Sequence, residues 1–432
     1  MPTKRIAIFN QDRGKQHGAI MLAILVILII GAAAFLLRTL NSSSLQIARN
    51  KVTADALAKA KDALISYAIT YGDTHPGQAY GYLPCPDPNG NAGVNGEGSS
   101  ETCGNSNVSA IGRLPWKTLG LPPLRDGNGE CLWYAVAGTY KNNPSPTYTL
   151  MNWDNYGLFQ ILAANGVTLA GQTPESYAVA AIFAPGTALT NQYQTQNRTP
   201  DGNAPICGGN YNASNYLDRD TSITPNAHNA TPSTTANAIS TFYNAGATAN
   251  INDQIIYITS NDIFNAIKKR NDFSAFVNSM LSNAISNLNL PYSSLPTPVV
   301  MNFSNTNPLS ETANTNASGY LYIGKIPKAY LSAQYQNWQD NLQYGKCAFG
   351  GNCLTVNGVQ CDGIIIFTGE QNAAQSRTLS NKNLPSDYLE SPIFSPFSNG
   401  KNSSWPYSPV TFTGPTSYIP TSPSTDVLAC IQ

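Results

Sequence analysis

The stretch that most constrains the chain is residues 18–37, GAIMLAILVILIIGAAAFLL. From Ala19 to Leu37 it carries no charge and a single glycine, Gly31. At 1.5 Å per residue this run makes about 28 Å of helix, close to the hydrocarbon thickness of a bilayer. Lipid offers no partner to backbone N–H and C=O groups, so a segment of this kind must be helical if it inserts. A basic leader precedes it, with Lys4, Arg5, Arg13 and Lys15 against Asp12. The positive-inside bias then keeps the N-terminus in the cytoplasm and sends everything from Arg38 onward to the other side. The expected organisation is a leader over residues 1–18, a transmembrane helix over 19–37, a helical continuation over 38–72 and an exported head over 73–432. A plain signal anchor fits the same stretch. A cleavable secretory signal would use GAAA at residues 31–34, but the apolar run continues past it through Phe35, Leu36 and Leu37.

The helix is expected to run on beyond the apolar stretch. Residues 41–71 contain no Pro or Gly and are rich in Ala, Leu, Lys and Gln, all strong helix formers. Leu57, Ala60, Leu64, Tyr67 and Tyr71 follow the +3, +4 rhythm of a buried stripe. Lys51, Asp55 and Lys59 stand four apart on the solvent side, and Gly72 supplies a stop. Continuous from 19 to 71, such a helix is about 80 Å long. Two separate helices are the alternative.

The head has its own constraints. Net charge is zero and charged residues make up 11%, well under the roughly 25% of ordinary soluble domains. No basic field exists to hold nucleic acid. Asn, Ser, Thr, Gln and the 23 tyrosines supply the polar surface, which suits contact with proteins or sugars. All eight cysteines follow the apolar segment: Cys85, Cys103, Cys131, Cys207, Cys347, Cys353, Cys361 and Cys430. An even number on the exported side reads as disulfides formed in an oxidising compartment, with 105 connectivities open. Pairing neighbours first joins Cys85 with Cys103, Cys131 with Cys207, Cys347 with Cys353, and Cys361 with Cys430. A zinc site would need CxxC pairs, and none occurs.

Apolar runs predict strands near Cys131 (CLWYAV), Tyr177 (SYAVAAIFAPG), Gln254 (DQIIYIT) and Gly363 (CDGIIIFTG). Residues 151–164 and 328–344 read as helices, and 260–288 as a helical pair capped by Ser260 or Asn261. Residues 187–250, rich in Asn, Thr, Ser and Ala, read as a surface insertion with a role in contacts. Only His75 and His228 lie on the exported side, and neither belongs to an HExxH signature; no GxSxG elbow or Walker loop occurs. Asp87, Asp126 and Glu130 are accounted for by turn chemistry. DPNGN, with Asp87, Asn89 and Asn91, is similar to the first half of a calcium loop. It departs at Ala92, where the loop needs Gly, and at Gly98, where it needs Glu. Neither catalysis, a cofactor nor a metal is expected.

Two features resemble the type IV pilin family. One is the boundary at Gly18 and Ala19, where a basic leader meets an uninterrupted apolar helix; in the family, prepilin peptidase cuts after that glycine and methylates the new N-terminus. The other is the order AKAKDALISYA, YLPCPD, GRLPWKTLGLPPLRDGNGECLWYAV, which is similar to large pilin-like proteins of Gram-negative bacteria. The family's usual first Phe and fifth Glu are Ala19 and Ala23 here. The K-type minor pseudopilin of type II secretion and the X-type minor pilins also lack that Glu and cap filament tips. The resemblance therefore implies an α+β fold: a long pilin-type helix, half transmembrane, packed on an antiparallel sheet and carrying a loop-rich, disulfide-bonded head. It implies a minor pilin or pseudopilin, a structural or tip subunit of a type IV pilus or type II secretion filament, anchored in the inner membrane with a periplasmic head. Its partners would be other pilin or pseudopilin subunits, prepilin peptidase, and a surface glycan or protein ligand. The alternative is a membrane-anchored binding protein or adhesin that never assembles.

Overall fold

The computed structural model describes residues 17–89, 96–105, 107–141, 150–163, 166–223, 226–246, 248–303, 309–318, 320–390 and 410–432. The chain divides into two units, Met1–Val52 and Thr53–Gln432. Helix α1 (His17–Thr74) includes residues of both. Among the described residues no helix is long and apolar enough to cross a membrane. The expected transmembrane helix over 19–37 is corrected on that ground, and with it single-pass anchoring in the inner membrane. The leader over 1–16 lies outside the described residues.

The expected fold class is corrected as well. In place of one antiparallel sheet under a half-transmembrane pilin helix, the second unit is sheet-rich, with two seven-stranded sheets of different make-up. The first contains β1 (Ala110–Arg113), β2 (Trp133–Val136), β3 (Phe159–Leu162), β4 (Thr168–Ala170) and β5 (Ala178–Ala184), in the order β1-β2-β5-β3-β4. A short hairpin, β6 (Arg219–Asp220) with β7 (Ala227–His228), follows. β8 (Ser240–Tyr243) then joins the first sheet parallel to β3, and β9 (Gln254–Thr259) joins it antiparallel to β5. All seven side chains of β5 are buried. Its period-2 alternation sends Ala180, Ile182 and Ala184 to a central core and Ala181 and Phe183 to an outer one. A strand buried on both faces must be apolar throughout, which is why AVAAIFA has no polar residue.

Helices α2 (Ser260–Lys268) and α3 (Phe273–Asn287) come next. Thr259 caps α2: the Asp262 N–H donates to Thr259 Oγ1 at 3.2 Å, and the Thr259 N–H donates to Asp262 Oδ2 at 2.9 Å. This reciprocal box places the cap one residue before the expected Ser260. The second sheet collects β10 (Val299–Asn302), β11 (Ser310–Ala313), β12 (Ala317–Ser318), β13 (Leu321–Lys325) and β14 (Leu342–Cys347). β15 (Leu354–Val356) and β16 (Val359–Cys361) belong to a small three-stranded sheet. β17 (Gly363–Phe367) returns to the second sheet, β18 (Val410–Phe412) pairs parallel with β15, and β19 (Val427–Ile431) pairs with β17.

The central core lies between the two sheets. Ala56, Leu57, Ala60, Leu64, Ala68 and Tyr71 of α1 enter it with α2, α3 and the inner faces of both sheets. Trp153, Trp338, Phe273 and Phe367 form its aromatic centre, with the two indoles 4.8 Å apart edge to face. Four disulfides staple the unit: Cys85–Cys103, Cys131–Cys207, Cys347–Cys353 and Cys361–Cys430.

Strands occur at all four apolar runs, although β2, β5 and β9 belong to one sheet and β17 to the other. The helix expected over 151–164 is instead a turn followed by β3. That expected over 328–344 is two 3-10 segments, Lys328–Tyr330 and Ala333–Asn341, followed by β14. Residues 187–250 contribute β6, β7 and β8 and bury Tyr216, Leu217 and Phe242 on the outer face of the first sheet.

Candidate functional site

Three irregular segments run together where the sheets meet: the turn before β3, the 3-10 segment before β14, and the loop after β17. Irregular backbone in an interior must find its partners in side chains. The Met151 N–H donates to Asn337 Oδ1 at 2.9 Å, and Asn152 Nδ2 donates to the Asn337 carbonyl at 2.7 Å. Asn341 Nδ2 reaches Asp154 Oδ2 at 2.8 Å. Arg377 Nη1 meets the same carboxylate at 3.0 Å, and Lys382 pairs with Asp340, both ion pairs being almost wholly buried.

A third cation, Lys325, donates to the Asp340 carbonyl, and its Nζ stands 3.8 Å from the centroid of the Tyr388 ring. Burial pushes its pKa down to about 7, with Asp340 pulling the other way. Two carboxylates and two obligate partners are thus mutually neutralised, with a third cation that sheds its proton easily. Breaking a buried pair by removing one partner costs about 3–5 kcal/mol. Arg377 also donates to the Asp387 carbonyl at 3.0 Å and to Gln375 Oε1 at 3.1 Å. These charges hold the seam together.

Two cavities of about 440 Å³ each open beside this network, and Asp154 and Tyr156 line both. The first is walled by Leu150, Leu158, Ile239, Phe303 and Leu379. The second is walled by Asn261, Asn265, Gln371, Asn372, Glu175 and Trp153. The Tyr156 hydroxyl donates to Gln371 Oε1 at 2.9 Å. Lys268 also lines the second cavity, paired with Glu370. No histidine or cysteine lines either one. Among the described residues, no group of three or more His, Cys, Asp or Glu could hold a metal ion. Such an arrangement can bind and orient a small molecule.

The residues singled out from the sequence lie elsewhere. Gly18 and Ala19 fall in the first turn of α1, with their side chains outside the described residues. Asp87 is buried and accepts from the Gly98 N–H at 2.7 Å and the Tyr211 hydroxyl at 2.9 Å; Asn91 and Ala92 lie outside the described residues. Asp126 accepts from the N–H groups of Asn128, Glu130 and Gly186 at 2.8–3.0 Å, closing its turn. Glu130 pairs with Arg198 at 3.2 Å. His75 stacks on Tyr71 with ring centroids 4.0 Å apart. All eight cysteines are disulfide-bonded and none is free. Sequence reasoning missed the amides of the second cavity. Asn261 and Asn265 carried a signal: they stand four apart, off the apolar stripe of α2.

A second surface of note lies in the first unit. Nine apolar side chains of α1 from Met21 to Ile30 are 44–77% exposed. Comparisons with protein-family models, curated proteins and solved structures find no match to the chain.

Proposed function

We propose that the chain is a structural, non-catalytic subunit of the minor pilin or pseudopilin kind, assembling with pilin-like neighbours through residues 21–30 of α1. The observation that carries this reading is the exposure of Met21, Leu22 and Ile24–Ile30. A helix that is apolar all round is stable in water only when something covers it, and helices of neighbouring subunits are the natural cover. The resemblance at Gly18 and Ala19 and the disulfide-stapled body are consistent with it. An exported binding protein or adhesin that never assembles is the second reading, favoured by the two cavities.

A photo-crosslinking residue at Ile27, in the full chain and its native cells, separates the two. A filament subunit gives adducts with other pilin-like proteins, and its mature N-terminus is a methylated Ala19 that disappears without prepilin peptidase. An intact Met1 or Pro2 terminus, with no protein adduct at position 27, overturns the assembly reading.

A further inference from the structure

We propose that the second cavity is a binding site for a neutral saccharide. The inference is independent of filament assembly and rests on the side chains that α2 and the loop after β17 turn toward one another.

Helix α2 buries Ile263, Phe264 and Ile267, while Asn261 and Asn265 are exposed and line the cavity one turn apart. Residues four apart share a helix face. Asn is among the poorer helix formers, so two of them on one exposed face gain the helix nothing. Neither side chain makes a hydrogen bond to another described residue. Across the cavity, Gln371 and Asn372 present two more carboxamides, held in place: Gln371 Nε2 donates to the Gln375 carbonyl at 2.8 Å, and Asn372 Oδ1 accepts from the Ala374 N–H at 2.9 Å.

A carboxamide offers two donors and an acceptor oxygen on one planar group. Adjacent sugar hydroxyls each donate and accept, so facing pairs of amides match a polyol. Trp153 and Tyr156 add aromatic surface beside them. The cavity, at about 440 Å³, falls within the 300–1,000 Å³ range of small-molecule sites.

Charge selects among saccharides. Lys268 is paired with Glu370, and Asp154 with Arg377. The remaining lining charge is the Glu175 carboxylate, which repels phosphate, sulfate and uronate groups. A peptide anchored by an aliphatic side chain finds no niche here, because no Leu, Ile, Val, Met or Phe is among the residues lining this cavity. The chemistry favours a neutral hexose or N-acetylhexosamine unit.

The test uses the full chain, produced in an oxidising compartment so that all four disulfides form. It is applied to immobilised neutral oligosaccharides, anionic oligosaccharides and short peptides. Retention on neutral oligosaccharides is expected, weakened at least tenfold in the Asn261→Ala, Asn265→Ala double variant with its unfolding temperature unchanged. Glu175→Gln is expected to keep neutral binding and to relax the rejection of anionic chains. Retention only on anionic oligosaccharides or only on peptides overturns the proposal. So does retention on nothing, or a double variant that binds as the parent does. Crosslinking at Ile27 leaves these residues untouched, so either proposal can fail without the other.

Discussion

The two seven-stranded sheets are alike in size but cover their outer faces by opposite means. Over the first lies the largely irregular stretch 187–250, tied by the Cys131–Cys207 disulfide and the packing of Tyr216, Leu217 and Phe242, with its backbone held by polar side chains. Arg113 donates from β1 to the carbonyls of Gly208 and Asn210 at 2.7 and 2.8 Å. Asp218 accepts from the N–H groups of Asn252 and Asp253 at 2.6 and 2.9 Å and from Gln196 Nε2 at 2.9 Å. Asp253 in turn accepts from the Asp218 N–H at 2.7 Å and from Asn229 Nδ2 at 2.8 Å. Over the second sheet lies the small sheet of β15, β16 and β18, whose backbone is satisfied by its own ladder. Its contact is apolar, Leu354, Val356 and Phe412 against Leu321, Ile364 and Ile366, with Cys347–Cys353 and Cys361–Cys430 at its margins. A cover without regular structure needs a buried side-chain carboxylate for many of its N–H groups. A cover that forms a sheet needs only apolar area and a few covalent ties.

The contrast is sharpest at Asp218. Asp218→Ala strands several buried donors at once and should cost about 3–5 kcal/mol, seen as a lower urea midpoint and early proteolysis within 187–250. Asp253→Asn should cost about 1 kcal/mol or less, because the amide oxygen still accepts from the Asp218 N–H and Asn229 Nδ2, and burial with the neighbouring Asp218 already holds the carboxyl well above the usual carboxylate range. Equal effects of the two changes would erase the distinction.

On the second sheet the covalent ties should matter most. Replacing Cys361 and Cys430 by Ala opens a closure of 69 residues and should cost about 4 kcal/mol on the chain-entropy account. The same change at Cys347 and Cys353, only 6 apart, should cost about 2 kcal/mol. The reverse order in denaturant unfolding would mean that native contacts, and not loop closure, set the effect.

The last comparison concerns pH. Asp426, just before β19, is buried and exchanges N–H to carboxylate bonds with Glu390 at 2.8 and 3.0 Å. Burial pushes its pKa up to about 8. A raised acid pKa means that the folded chain holds a proton the unfolded chain releases. Its stabilising contribution is therefore complete below about pH 4, falls as pH rises, and levels off near pH 8, with a slope of up to about 1.4 kcal/mol per pH unit. Asp426→Asn should flatten that decline, as a series of thermal melts from pH 4 to 8 would reveal. An unchanged slope would assign the proton to another group.

How much of this could be read from the sequence follows the same divide. Continuous apolar runs such as AVAAIFA and GIIIF announce buried strands because both faces must be apolar, and both form strands. Residues 151–164 misled because Trp153, Tyr156 and Phe159 mimic helical spacing, whereas the structure uses Asn152 and Asp154 as partners for a distant 3-10 segment. The seam was not legible at all: Asp154, Lys325, Asp340, Arg377 and Lys382 are scattered over more than two hundred residues, and nothing local marks them as neighbours. The apolar stretch after Gly18 dominated the reading of fold and location, and the described structure does not give it a membrane-crossing role.

The disulfide pattern bears on how the protein is made. In chain order the eight cysteines pair first with second, third with fourth, fifth with sixth and seventh with eighth. If thiols oxidise in the order in which the chain emerges from synthesis, each odd-numbered thiol closes with the next one to arrive. Two unpaired thiols never compete for a third. Oxidation in order of emergence would then give the observed set without reshuffling.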